Sequence, residues 1–230
     1  MAHGRWSNDI TERAALHAAL GDPARLAVVE QLLRSDRSPT ELSHLMGITS
    51  NLLAHHLDVL EGVDLIGRTV SAGDQRRRYV HVTHTARSLM ASTPLPTPRS
   101  VLFVCTRNSA RSQLAATLWR ARVGRPARSA GTDPAPTIDT GAIDAAVRAG
   151  YAAPTSRPAR LGRVGAHTQV VTVCDLAHEE VGTDPRWWHW SIPDPVGSGS
   201  AAAFDDVIAE LDRRIAIFTP SRPHEPRKQP

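Results

Sequence analysis

The chain has 230 residues, of which 41% are hydrophobic and 22% charged, with a formal net charge of +4. That length exceeds one typical domain and points to two, and the composition excludes wholesale disorder. No apolar run approaches the length that spans a bilayer, and Met1 to Asp9 lack the apolar stretch of a signal peptide, so a cytoplasmic protein without a membrane partner is expected.

Cys105 and Cys174 are the only cysteines, too few for a disulfide scaffold and consistent with free thiols in a reducing compartment. Residues 1–98 hold ten Arg against ten Asp and Glu, so the positive excess resides in residues 99–230, with 17 basic and 13 acidic side chains. Net charge therefore gives no argument for nucleic acid in the first half; only local clustering can.

Asp22-Pro23 opens a predicted helix with a cap and a first-turn proline, and Leu26, Val29, Leu32 and Leu33 follow at helical spacing. Ser38-Pro39-Thr40-Glu41 repeats the signal with a capping box, and Gly47 ends that short helix. Ser50 is positioned to cap a further helix, with Leu53, Leu57 and Leu60 inward and Asn51, His55 and Asp58 outward. A short helix, a glycine turn and a second helix make a helix-turn-helix. Leu65 to Val70 and Tyr79 to Thr83 then flank a basic turn, which predicts a β-hairpin wing. Ser50, Asn51 and His55 are the candidates for the major groove, and Arg68, Arg76, Arg77 and Arg78 for phosphates or the minor groove. Three arginines in a row also suit a merely solvated turn; the preceding helix-turn-helix favours DNA. His55 and His56 point about 100° apart on a helix, His81 and His84 lie at a strand end, and no cluster has metal-ligand spacing. No metal site is expected.

Over about residues 10–90, Gly21-Asp-Pro-Ala-Arg-Leu26, Ala54-His-His-Leu-Asp-Val-Leu60 and the wing resemble the winged-helix repressors of the ArsR family. The resemblance implies a homodimer on double-stranded operator DNA that releases it when an inducer binds. Arsenite-sensing members carry paired cysteines before the turn, where this chain reads Arg37-Ser-Pro-Thr-Glu-Leu-Ser43, so that soft-metal site is absent.

Ser92 to Pro98 holds three prolines in seven residues and reads as a stiff linker. The expected division is a winged helix over 1–92, a linker over 93–98, an α/β domain over 99–219 and a disordered tail over 220–230.

Ser100-Val-Leu-Phe-Val104 has the character of a buried parallel strand, and Leu114, Leu118 and Trp119 mark a helix. Between them lie Cys105, Thr106, Arg107, Asn108, Ser109, Ala110, Arg111 and Ser112. A strand, a loop from cysteine to arginine and a helix form an anion trap, because backbone N–H groups and a helix N-terminus converge on one point. Arg111 offers a planar fork to two oxygens of the anion. The same positive field favours the Cys105 thiolate, the nucleophile; Ser112 is placed to donate to it and Asn108 to hold the turn. Further strands are predicted to end near Thr132 and Cys174, with helices over Thr140 to Ala149 and Phe204 to Phe218. The whole reads as a doubly wound parallel four-stranded sheet with its ligand at the strand ends. The loop Trp190 to Pro195 presents Asp194, either as an ordinary Asp-Pro turn or as the acid that protonates a leaving oxygen.

Residues 99–219 resemble the low-molecular-weight protein tyrosine phosphatases and the arsenate reductases built on that fold. The reductases are nearer in Cys105 to Gln113, Ser129-Ala-Gly131, Val170-Val-Thr172 and Pro193-Asp-Pro195, and Val196-Gly197 stands where phosphatases carry an aromatic. The resemblance implies attack by Cys105 on arsenate, with arsenate or phosphate as the bound oxyanion. It implies no bound cofactor; for a reductase the second thiol is either Cys174, through a direct Cys105–Cys174 disulfide, or an external reductant, mycothiol with mycoredoxin or thioredoxin. Cys174 matches the first relay cysteine of the thioredoxin-coupled branch, while Val181 occupies the place of the second; Cys174 is equally readable as a small hydrophobe in a buried strand. Arg107 replaces a glycine usual in phosphatases, and Ala110 a cysteine that protects the nucleophile. A fused regulator and arsenate reductase is the leading expectation, beside a non-catalytic oxyanion sensor and a phosphatase on a small phosphorylated substrate.

Overall fold

A computed structural model of the chain describes residues 7–91, 95–182 and 184–219. The expected tail and the start of the expected linker lie outside the described residues. By contacts, Met1–Thr93 groups with Val171–Ser191, and Pro94–Val170 with Ile192–Pro230. The border near the prolines is thus accompanied by two more, at 170/171 and 191/192.

In the first unit, α1 (Asn8–Leu20) precedes α2 (Pro23–Arg34), capped by Asp22 with proline at the helix start. Helix α3 (Pro39–Met46) carries the full capping box between Ser38 and Glu41, and Gly47 closes it at φ 63°, a left-handed value that costs glycine nothing. Helix α4 (Ser50–Gly62) buries Leu53, Leu57 and Leu60. Its cap is Thr49, whose hydroxyl accepts from Leu52 N, so Ser50 is the first helical residue rather than the cap. Strands β1 (Ile66–Val70) and β2 (Arg78–Val82) pair antiparallel as the wing, and α5 (His84–Leu89) follows. Leu42, Leu53, Leu57, Leu60, Leu65 and Ile66 are almost wholly buried and form the core of this winged helix.

The second half of the sequence builds the α/β layers from β3 (Ser100–Cys105), α6 (Arg111–Val123), β4 (Ala127–Gly131), α7 (Thr140–Arg148), β5 (Thr168–Thr172), α8 (Asp175–Val181), β6 (Trp188–His189) and α9 (Ala201–Ala216). The four-stranded sheet has the order β4-β3-β5-β6, with β3 parallel to β4 from Val101↔Ala127 to Cys105↔Gly131 and β5 parallel to β6. Trp119 of α6 anchors the core of the second unit, its ring 5.9 Å from Phe103 and 5.3 Å from Phe218. Among the described residues no helix is long and apolar enough to cross a membrane.

The segment 171–191 is tied to the first unit by a series of polar contacts. Trp190 Nε1 donates to Arg34 O at 2.9 Å, His189 N to Ser35 Oγ at 2.8 Å, Asp36 N to His189 O at 2.7 Å, and Ser191 N to Asp36 Oδ2 at 2.8 Å. Arg37 is buried and donates to Pro185 O and Trp187 O, and burial pulls its guanidinium below the usual value. The wing turn is held likewise: Ser71 Oγ and Asp74 N donate to Glu179, and Ala72 N to Asp175. Cys174 is the cap of α8, its sulfur accepting from Ala177 N at 3.3 Å, two residues beyond the strand in which the sequence put it.

Candidate active site and helix-turn-helix surface

The cysteine loop leaves β3 at Cys105 and enters α6 at Arg111. Its conformation is fixed from outside. Thr132, Asp133, Ala135 and Asp139 donate their backbone N–H groups to the carbonyls of Cys105, Thr106, Arg107 and Ser109. In a trans peptide the N–H points opposite to the C=O, so the amides of 106, 107, 108 and 110 turn to the other side. Asn108 N indeed donates to Cys105 Sγ at 3.2 Å. Gly131 makes this packing possible, since a Cβ there would lie 2.6 Å from Thr106 O.

Asn108 is fully buried at φ 48°, a left-handed conformation that asparagine tolerates better than most residues. Its Oδ1 accepts from Ala159 N at 2.9 Å and its Nδ2 donates to Ser112 Oγ at 2.8 Å. Ser112 Oγ lies 3.1 Å from Cys105 Sγ. Gln113 ties the loop down from below, donating to Asn108 O and Ser156 O.

Arg111, 7% exposed, donates to Ile192 O at 3.1 Å and to Asp194 Oδ2 at 2.9 Å. The Asp194 side chain is half exposed, and its other oxygen accepts from Val196 N. Arg107 extends to the surface and pairs with Asp133. Cys105, Arg107, Ser109, Ala110, Arg111 and Asp194 together line a cleft of about 280 Å³, completed by Ala135, Thr137, Ile138, Asp139 and Val196. Among the described residues no aromatic side chain lines it. Thr106 and Ser112 stand behind this surface, in the loop and in the first turn of α6. Cys174 is not part of the lining; it belongs to the first unit. The wall from Ala135 to Asp139 was not read from the sequence, because nothing in Pro134-Ala-Pro-Thr137 signals chemistry before its backbone is seen under the loop.

In the helix-turn-helix, Ser50, Asn51 and His55 lie exposed on α4. The wing arginines diverge. Arg68 pairs with Asp58 and Glu61 of α4, Arg76 with Asp74, and Arg77 turns toward Tyr79, a hydrogen bond that raises its guanidinium above the usual value. Arg78 is exposed on β2. His56 is buried with Nδ1 3.9 Å from Asp22, and among the described residues no group of three or more His, Cys, Asp or Glu is arranged to hold a metal.

A strand, a cysteine loop, a helix N-terminus and a facing Asp-Pro carboxylate define a thiol-based oxyanion domain, joined here to a winged helix-turn-helix. The sequence pattern described as low molecular weight phosphotyrosine protein phosphatase matches residues 100–222, and that described as bacterial regulatory protein, arsR family, matches residues 22–67. The chain belongs to the low molecular weight phosphotyrosine protein phosphatase family and carries an ArsR-family helix-turn-helix ahead of it. No curated protein matches it. Among solved structures, an arsenate reductase from Archaeoglobus fulgidus is 30% identical over 50% of this chain and 95% of its own, with a TM-score of 0.43. A mutant of YwlE from Bacillus subtilis is 19% identical over 51% and 94%, at 0.46. The tyrosine phosphatase AmsI of Erwinia amylovora is 21% identical over 53% and 91%, at 0.44.

Proposed function

We propose that the protein is an operator-binding regulator whose second half captures arsenate and reduces it through the Cys105 thiolate. The observation that carries this reading is the meeting of Cys105, Arg111 and Asp194 in one small cleft without an aromatic wall. A phenyl ring would find little to pack on there, whereas a tetrahedral oxyanion needs only the amides, the guanidinium and an acid. Cys105 Sγ attacks arsenic and Asp194 supplies the proton with which an oxygen leaves as water. A second thiolate then attacks Sγ, the S–As electron pair passes to arsenic, and arsenite and a disulfide result. Cys174 is buried and its sulfur already caps α8, which favours an external thiol, mycothiol with mycoredoxin or thioredoxin, as the second nucleophile.

On the DNA side, exposed Ser50, Asn51 and His55 suit the major groove, and Arg76 and Arg78 suit flanking phosphates. A homodimer in the cytoplasm, controlling arsenic-resistance genes, completes the reading. Its rival is a sensor without turnover, favoured by the same engagement of Cys174. Purified protein incubated with arsenate and each thiol system distinguishes them. Arsenite formed by the wild type and not by Cys105→Ser supports the reductase; arsenate bound without arsenite in any system replaces it with the sensor.

A further inference from the structure

Five polar side chains with no part in the cleft form a continuous array inside the first unit. His178 and His189 stack with their ring centres 4.1 Å apart and planes 14° from parallel. Both Nδ1 atoms face one hydroxyl, Thr172 Oγ, at 3.0 and 2.9 Å. The outer nitrogens each meet a carboxylate: His178 Nε2 lies 3.3 Å from Glu41 Oε1 and His189 Nε2 lies 3.1 Å from Asp175 Oδ1. Both histidines are at most 1% exposed, so water does not complete their hydrogen bonds.

Proton counting constrains this array. Both outer nitrogens must carry hydrogen, because a carboxylate only accepts. Were both imidazoles neutral, both Nδ1 atoms would then be acceptors facing a hydroxyl whose single proton the Trp188 carbonyl, at 3.3 Å, also attracts, and at least one would be left unpaired. A third ring proton removes the conflict. One histidine then donates to Thr172 Oγ, and Thr172 donates to the other, a nearer acceptor than the Trp188 carbonyl at 3.3 Å. Full occupancy of all four nitrogens would stack two cations at 4.1 Å in a buried site, which is costly. Burial disfavours the charged form of His189, and His178 opposes it further; the added proton therefore sits on His178. Burial alone would raise the Glu41 carboxyl, but hydrogen bonds from His178 and from the Ser38 backbone and hydroxyl outweigh it and hold it at about 2.

We propose that Glu41, His178, Thr172, His189 and Asp175 form a proton-operated latch that holds helix α3 of the helix-turn-helix against the segment 171–191. With the proton present, an unbroken row of hydrogen bonds runs from Glu41 to Asp175. Without it, either the Glu41 carboxylate faces a lone pair on Nε2 or Thr172 faces one on Nδ1, and the grip on α3 loosens. The groups facing His178 include Glu41 with neighbouring Arg37 on the α3 side, Tyr79 of β2, and His189 of β6 with Asp36 behind it. On its own helix stand Asp175 and Glu179, and Arg77 approaches through Tyr79. Helix α3 packs on α4, so the latch acts on the element that supports the exposed α4 face.

The test uses the full chain with ¹⁵N-labelled histidine, followed from about pH 6 to about pH 9, with amide exchange read over Pro39–Met46 and over α6 as the internal control. The expected result is three protons on the four ring nitrogens at the acid end, with both nitrogens of His178 protonated. Loss of one proton on raising the pH should lower protection of α3 by about tenfold or more, with α6 unchanged. Two ring protons at the acid end, or α3 protection indifferent to the titration, would overturn the latch on wild-type data alone. His178→Gln, whose amide can donate to Glu41 without titrating, should remove the pH response; a response that persists in that variant also overturns it.

Discussion

The amide of Asn108 donates to the hydroxyl of Ser112 at 2.8 Å, which leaves the Ser112 proton available to the next group in the chain. With its oxygen already accepting, Ser112 has its own proton to give to Cys105 Sγ, 3.1 Å away. Together with Asn108 N–H, the sulfur is thus approached by two donors, the arrangement that favours a thiolate over a thiol. Replacing Ser112 by Ala should leave the fold intact and reduce arsenate turnover by about ten- to hundredfold. Iodoacetamide alkylation of Cys105 as a function of pH checks the cause, and its profile should move to higher pH in the variant.

Gly131→Ala should damage the site without touching a polar group. The new Cβ meets the Thr106 carbonyl at 2.6 Å and the Asn108 backbone at 3.1 Å, both main-chain atoms that cannot swing aside. A loss of about 1–3 kcal/mol in stability is expected, measured by urea unfolding, and phosphate should no longer protect the variant against heat.

Arg107 lines the cleft and is braced by Asp133. Arg107→Gly should weaken inorganic phosphate or arsenate binding by roughly tenfold, since one guanidinium is lost. The widened mouth should raise hydrolysis of p-nitrophenyl phosphate relative to wild type. Calorimetry and a phosphatase assay read the two effects separately.

Glu41 gives the first unit a defined acid sensitivity. Its carboxyl falls from 4.5 to about 2 on folding, so its contribution is fully present above about pH 4.5 and fades as the pH drops toward 2; the shift corresponds to on the order of 3 kcal/mol. His189 adds to the loss earlier, because its folded value lies below 6.5 and the unfolded chain takes up a proton first. Stability should therefore decline in two stages on acidification. In Glu41→Gln the lower stage should shrink, leaving the part that Asp175 and the other lowered carboxyls contribute.

The wing arginines should not contribute equally to DNA binding. Arg76 and Arg78 reach solvent, while Arg77 is turned to Tyr79 and Arg68 braces α4 through Asp58 and Glu61. Arg76→Ala and Arg78→Ala should each reduce the salt slope of operator binding by about one counterion. Arg77→Ala should change the slope little. Arg68→Ala should act mainly by loosening α4.

Much of this could be read from the sequence because the signals are local. Asp22-Pro23, Ser38 with Glu41, and Gly47 mark helix ends by their own chemistry, and the cysteine loop declares itself between an apolar run and an amphipathic helix. What was not legible lacked an apolar pattern. Helix α8 is seven residues long and buries His178 and Asp175, and β6 is two residues; polar side chains that are buried because they satisfy one another leave no periodicity to detect. Helix α1 carries mostly exposed alanines and polar residues, so nothing set it apart from a loop. The stretch Ser35 to Glu41 drew notice for the thiols it lacks, whereas its side chains are the ones that receive the segment 171–191.

The membership of 171–191 in the first unit bears on how such a fusion can be taken apart. A cut in the proline-rich stretch looks like the natural place to recover two free-standing proteins. Yet residues 99–219 alone would carry Trp190, Asp175 and Glu179 stripped of Arg34, Ala72, Ser71 and Asp74, and residues 1–92 alone would leave the Arg37 guanidinium without its carbonyls. The two halves have ceased to be interchangeable modules: a helix-turn-helix exchanged into this chain, or a phosphatase-family domain borrowed from it, must bring a matching strip of polar side chains or leave buried polar groups without partners.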